Sequence, residues 1–74
     1  MTVPDHWVKL ESWHMSQFVC RWFGGRRNMT LYRTGKGRYA VIGEHRMMAV
    51  SALDARAARR KITATIKEKI HDTD

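Results

Sequence analysis

A chain of 74 residues makes one small domain. At this size folding buries only about 60% of the unfolded surface, and the stability to expect is a few kcal/mol. Fourteen Lys and Arg against seven Asp and Glu leave a net charge of +7 and a pI near 10.4, so a polyanionic partner is expected: nucleic acid, an anionic membrane surface or an acidic protein. One cysteine excludes an internal disulfide, and no stretch approaches the roughly 18–20 apolar residues of a transmembrane helix, so no membrane partner is expected from a span.

With no staple available, dimerisation or partner binding is one route to added stability. The lone thiol suits a reducing cytoplasm. The opening MTVPDHWVKL contains Asp5 and no apolar run, so a secretory signal is not expected and the expected location is cytoplasmic. Charge is uneven along the chain. Arg21 to Arg46 holds seven of the fourteen basic residues (Arg21, Arg26, Arg27, Arg33, Lys36, Arg38 and Arg46) and one acid, Glu44, a net +6. Residues 1–20 sum to −1 and residues 47–74 to +2.

In chain order, residues 1–5 read as a loose arm, with Pro4 barring a helix. His6 to Trp13 alternates, Val8 and Leu10 on one side and Trp7, Lys9, Glu11 and Trp13 on the other. This predicts a first strand, with a short turn helix as the competing reading. Trp7 and Trp13 either cap a small core or, with Val3, anchor a partner protein. Gln17 to Phe23 also alternates, Phe18, Cys20 and Trp22 against Val19, Arg21 and Phe23, and reads as a second strand. Gly24-Gly25 then reads as a two-residue hairpin turn. Arg26 to Arg33 returns, with Met29 and Leu31 on one face and Thr30 and Tyr32 on the other. Thr34-Gly35-Lys36-Gly37 is a turn, Arg38 to Ile42 a further strand, and Gly43-Glu44 another turn. His45 to Val50 is either a last strand or the lead-in to a helix.

Ser51-Ala-Leu-Asp54 has the form of a capping box, which opens a helix at residue 51 and carries it to residue 70. Ala55, Ala58, Ile62, Ile66 and Ile70 recur every three or four residues and form the stripe that lies on the sheet. Arg56, Arg60 and Lys67 share another face, a second candidate basic surface. Lys67 and Lys69 suit the negative end of the helix dipole. Residues 71–74 read as a frayed tail. The fold class is therefore α+β: one domain, a three- or four-stranded antiparallel meander over residues 6–50 with one C-terminal helix packed on it.

Little in the sequence suggests catalysis. His6, His14, His45 and His71 are scattered without metal-ligand spacing, and no cofactor or metal is expected. The acids form no evident pair. T-G-K-G lacks the spacing of a phosphate loop and precedes a strand. Cys20 reads as an inert core thiol rather than a nucleophile. What remains is a basic sheet with interleaved aromatics. Arg21, Arg26, Arg27, Arg33, Lys36 and Arg38 are the candidate contacts to nucleic acid or partner, the turn residues reaching phosphates and the strand residues base edges. Tyr32 and Tyr39, expected on the outer face, either stack on bases or cover the sheet.

FVCRWFGGRRNMTL, followed by VSALDARAARRKI, resembles the N-terminal DNA-binding segment of phage-type tyrosine integrases, over residues 17–31 and 50–62. In that family an aromatic-Arg strand and a Gly-Gly-basic hairpin precede a helix, and the sheet enters the DNA groove. The resemblance implies DNA contacts at Arg21, Arg26 and Arg27 and helix–sheet packing at Ala55, Ala58 and Ile62. Tyr32 stands where the family has Gly, residues 33–49 are interposed, and the 74 residues hold no recombinase catalytic domain. The expectation is a small non-enzymatic regulator of phage or mobile-element type that binds nucleic acid, DNA before RNA. The alternative is a protein of that type that binds and modulates a host nucleic-acid machine, such as RNA polymerase or a defence complex.

Overall fold

Strand β1 spans Val8–His14, helix α1 Gln17–Phe23, β2 Asn28–Gly35, β3 Arg38–Ile42, β4 Met47–Ser51 and helix α2 Ala55–Asp72. The computed structural model describes residues 3–24, 28–44 and 46–72. The strands form one antiparallel sheet in the order β1-β2-β3-β4, and α2 lies on one face of it. This is the α+β meander with a C-terminal helix that the hydrophobic pattern predicts, with residues 47–51 a strand rather than a lead-in to the helix.

Register decides which side chains face α2. Leu31 pairs with Val41 and Val41 with Met48, so these three share the inner face with Met29. Ala58, Ile62 and Ile66 of α2 are fully buried against them, as the stripe predicts, while Ala55 is half-buried. Ile70 belongs to α2, but its side chain lies outside the described residues. The helix runs on to Asp72, beyond the expected end at residue 70. Arg33 pairs with Tyr39, which therefore lies inward and is buried, contrary to the expectation that it shares the outer face with Tyr32.

The largest departure is at residues 17–23, which form α1 and not a strand. Their alternation is real, but the buried residues are Met15, Val19 and Phe23, spaced by four, with Cys20 beside Val19. That is a helical face, and packing on the core overrides the β-preference of Phe, Val and Trp. Ser16 precedes the helix in an extended conformation. Gly24 ends it at φ 121°, its N–H donating to the Cys20 and Arg21 carbonyls. Gly24 is thus a helix terminator, where a side chain is strained, and not the first residue of a hairpin turn. Gly25 lies outside the described residues.

Two smaller differences follow from backbone hydrogen bonding. Asp54, not Ser51, caps α2: its Oδ1 accepts the Ala57 N–H at 2.8 Å. Ser51 ends β4 and its carbonyl accepts a hydrogen bond from Lys61 Nζ at 2.8 Å. In β1 the pairing slips between Lys9 and Glu11, a bulge that interrupts simple alternation. Lys9 pairs with Tyr32 on the outer face, while Glu11 and Trp13 pair with Leu31 and Met29 on the inner one. Val8 and Leu10 remain exposed. Residues 4–7 form a turn, the Trp7 N–H reaching the Pro4 carbonyl at 3.1 Å, so part of the expected loose arm is ordered.

Candidate functional site

Among the described residues, the expected cations Arg21, Arg33, Lys36 and Arg38 do not share one surface. Arg33 lies on the inner side of β2 and Arg38 on the outer side of β3, because Arg33 pairs with Tyr39, the neighbour of Arg38. Lys36 sits in the β2–β3 turn, and Arg21 is exposed on α1. Arg26 and Arg27 lie outside the described residues. Arg33 and Lys36 meet at the tip of the β2–β3 hairpin, in an open hollow of about 500 Å³ with His6, Val8, Tyr39 and Leu53. Among the described strand residues, the outer face carries two cations, Lys9 and Arg38. Arg46 is spent locally, its guanidinium 4.8 Å from the centre of the Trp22 ring.

The three expected protein anchors are also divided. Trp7 packs on Tyr32 across the outer face, ring centres 6.0 Å apart. Val3 is half-buried and lines a hollow of about 370 Å³ with Thr30, Tyr32 and Ile42. Trp13 lies on the inner side, packed against the core.

Cations and an aromatic ring do converge beside α2. Arg56, Arg60 and Lys67, the second candidate surface, line a groove of about 440 Å³ together with Arg59, Thr63, Ala64 and Trp13. Helical geometry explains the alignment: residues 56, 60, 63, 64 and 67 fall three or four apart along one side of the helix. Arg56 and Arg60 are about 6 Å apart along the axis, and Arg60 and Lys67 about 10 Å. The small side chains of Thr63 and Ala64 occupy that longer gap and form the floor.

Neighbouring elements shape the walls. The β1 bulge turns Glu11 toward α2, where Oε1 lies 3.5 Å from Arg59 Nη1. Both side chains are more than a third exposed, so this pair contributes only about 0.2–1 kcal/mol and serves chiefly to hold Arg59 beside the strand. Lys67 Nζ stands 5.6 Å from the centre of the Phe18 ring on α1. Thr63 Oγ1 donates to the Arg59 carbonyl at 3.0 Å. Among the described residues no carboxylate lines the groove itself; Glu11 at its edge offsets Arg59, which leaves Arg56, Arg60 and Lys67 as the cations that line it away from that pair.

Sequence reasoning placed Arg56, Arg60, Lys67 and Trp13 as candidates and missed Arg59, Thr63 and Ala64. Helical arithmetic contained the signal for Thr63 and Ala64. Arg59 becomes visible only once the pairing of Glu11 with Leu31 and of Trp13 with Met29 turns that side of β1 toward α2.

The groove offers charge and an aromatic surface, and its lining contains no acid–base pair or thiol. Cys20 is buried in α1, with Sγ 3.5 Å from the Met15 carbonyl oxygen. Among the described residues, no three His, Cys, Asp or Glu side chains are grouped to hold a metal ion. No helix is long and apolar enough to cross a membrane. Comparison with protein families, with curated proteins and with solved structures finds no match to this chain.

Proposed function

We propose that this is a small non-enzymatic protein that binds nucleic acid, with the groove along α2 rather than the outer face of the sheet as its contact surface. One observation carries the reading: Arg56, Arg60 and Lys67 line a single groove with Arg59, which pairs with Glu11, and no carboxylate is among the described residues that line it. Each cation that neutralises a phosphate releases condensed counterions, so affinity comes from charge and falls with salt. The helix sets the spacing of these donors, and their long side chains reach out to phosphate oxygens.

The test is fluorescence anisotropy with labelled DNA across a salt series. With about four phosphate contacts, affinity falls by about two decades between 50 and 200 mM salt. Replacing Arg56, Arg60 and Lys67 together by Ala flattens the salt slope by about two to three units. Replacing Arg33 and Lys36 at the hairpin tip has a smaller effect. Affinity that does not change with salt, or a triple variant that binds like the parent, overturns the reading.

A second reading, docking onto a nucleic-acid-handling protein complex, is favoured by Leu53. It is 97% exposed and borders the hairpin-tip hollow with the exposed Val8 and the cations Arg33 and Lys36. Capture of one protein partner from lysate that survives nuclease treatment and is lost in Leu53→Ser supports it; loss of the partner on nuclease treatment refutes it.

A further inference from the structure

Building on the nucleic-acid reading above, we propose that the α2 groove takes a single strand, with the Trp13 ring as the platform on which a base stacks. The argument is one of placement. A helix that reads duplex DNA from the major groove must stand clear on both flanks. One flank of the α2 cation line is occupied by Trp13 of β1, which borders the same shallow, open depression. Duplex binding through phosphates alone uses the cations and needs no ring. A flexible single strand can set its phosphates along Arg56, Arg60 and Lys67 and turn a base onto Trp13.

Aromatic chemistry selects the platform. Single-strand sites combine a positive groove with rings on which bases stack. Phe18 is already faced by Lys67 at 5.6 Å, whereas Trp13 is seated on the core by one side and lines the groove by the other. Arg59, held at Glu11, adds a positive group on the same wall. Sequence preference should be limited to guanine, whose edge arginine can read. Among the described residues no amide or carboxylate side chain lines the groove, so adenine and cytosine edges meet none of the side chains that usually read them. Stacking accepts any base.

The experiment compares a short labelled oligothymidylate, the matching oligouridylate and a duplex of equal length, with the parent protein and with Trp13→Leu and Trp13→Phe. Melting curves are recorded for each variant, so that affinity is read only on folded protein. The single strand is expected to bind about tenfold more tightly than the duplex. Trp13→Leu should weaken single-strand binding about 5- to 150-fold, the span that loss of one stacked base produces, and leave the duplex unaffected. Trp13→Phe should restore most of the loss, and the single-strand preference of the parent protein keeps the test decisive if the leucine variant does not fold. The two single-strand probes separate DNA from RNA as the source of the strand. Duplex binding equal to or tighter than single-strand binding, or an equal loss of both in Trp13→Leu, overturns the single-strand assignment and leaves the cationic groove standing. Absence of binding to all three probes overturns the groove itself.

Discussion

Gly43→Ala tests the contact between the β3–β4 turn and the end of α1. The Glu44 N–H donates to the Phe23 carbonyl at 2.8 Å, so this turn satisfies one of the carbonyls left open at the helix C-terminus. Gly43 lies against the same residue. A methyl group there would meet the Phe23 carbonyl and come within 2.6 Å of Phe23 Cβ, both of them parts of a fully packed site. Neither neighbour is a flexible side-chain tip, so the turn must lift away from α1. Overpacking of this kind costs about 1–3 kcal/mol. Loss of the Glu44–Phe23 hydrogen bond adds about 0.5–1.5 kcal/mol. The sum, about 2–4 kcal/mol, corresponds to a fall in Tm of roughly 10–30 °C for a domain of this size. Thermal and urea denaturation followed by circular dichroism measure it. Gly35→Ala is the control: no atom lies within 4 Å of its added methyl, and its φ is not in the left-handed region. That change should alter stability by less than about 1 kcal/mol. Equal effects of the two substitutions would refute the clamp between turn and helix.

Ile62→Ala and Ile66→Ala should each cost about 2–4 kcal/mol, since both side chains are fully buried; unchanged melting of both would contradict the packing of α2 on the sheet. Asp54→Ala should cost about 1 kcal/mol through loss of the helix cap, and Ser51→Ala less than about 0.5 kcal/mol, a ranking that urea midpoints can reverse if the cap is misplaced. Cys20, 2% exposed, should react with a thiol reagent only as fast as the chain opens, and adding denaturant should accelerate labelling; prompt labelling of the native protein would show that α1 is not docked as described.

Most of the sheet and the long helix were legible because their patterns admit few alternatives. The stripe Ala58, Ile62, Ile66 repeats every four residues, and β2 alternates cleanly at Met29, Thr30, Leu31 and Tyr32. Residues 17–23 satisfied two periods at once. Alternation suggested a strand, whereas Met15, Val19 and Phe23 marked a helix, and only contact with α2 and the β3–β4 turn decides between them. Gly24 inherits the same ambiguity, since a glycine ends a helix as readily as it opens a hairpin. The candidate surface was legible in part. Arg56, Arg60 and Lys67 follow from spacing on α2. Their juxtaposition with Trp13 depends on the pairing of Trp13 with Met29, a register between β1 and β2 that no local pattern in either strand announces. Within the cluster of charge between Arg21 and Arg46, chain nearness says little about faces: of the described members, Arg33 lies on the inner side of the sheet and Arg38 on the outer.

Spatial order and chain order coincide in this sheet, and that has a consequence for how the molecule assembles. β2, β3 and β4 are joined by residues 36–37 and 43–46 alone, so their pairing closes short loops, which form quickly. β1 is set apart from β2 by residues 15–27 and carries the longest closure in the sheet. It is therefore expected to join late, after the three-stranded nucleus has formed. Substitutions in β2 and β3 should then slow folding, while those in β1 should mainly hasten unfolding, as stopped-flow kinetics can resolve. β1 is also the strand that supplies Glu11 and Trp13, so the cations of α2 gain their aromatic neighbour only once the last strand has closed.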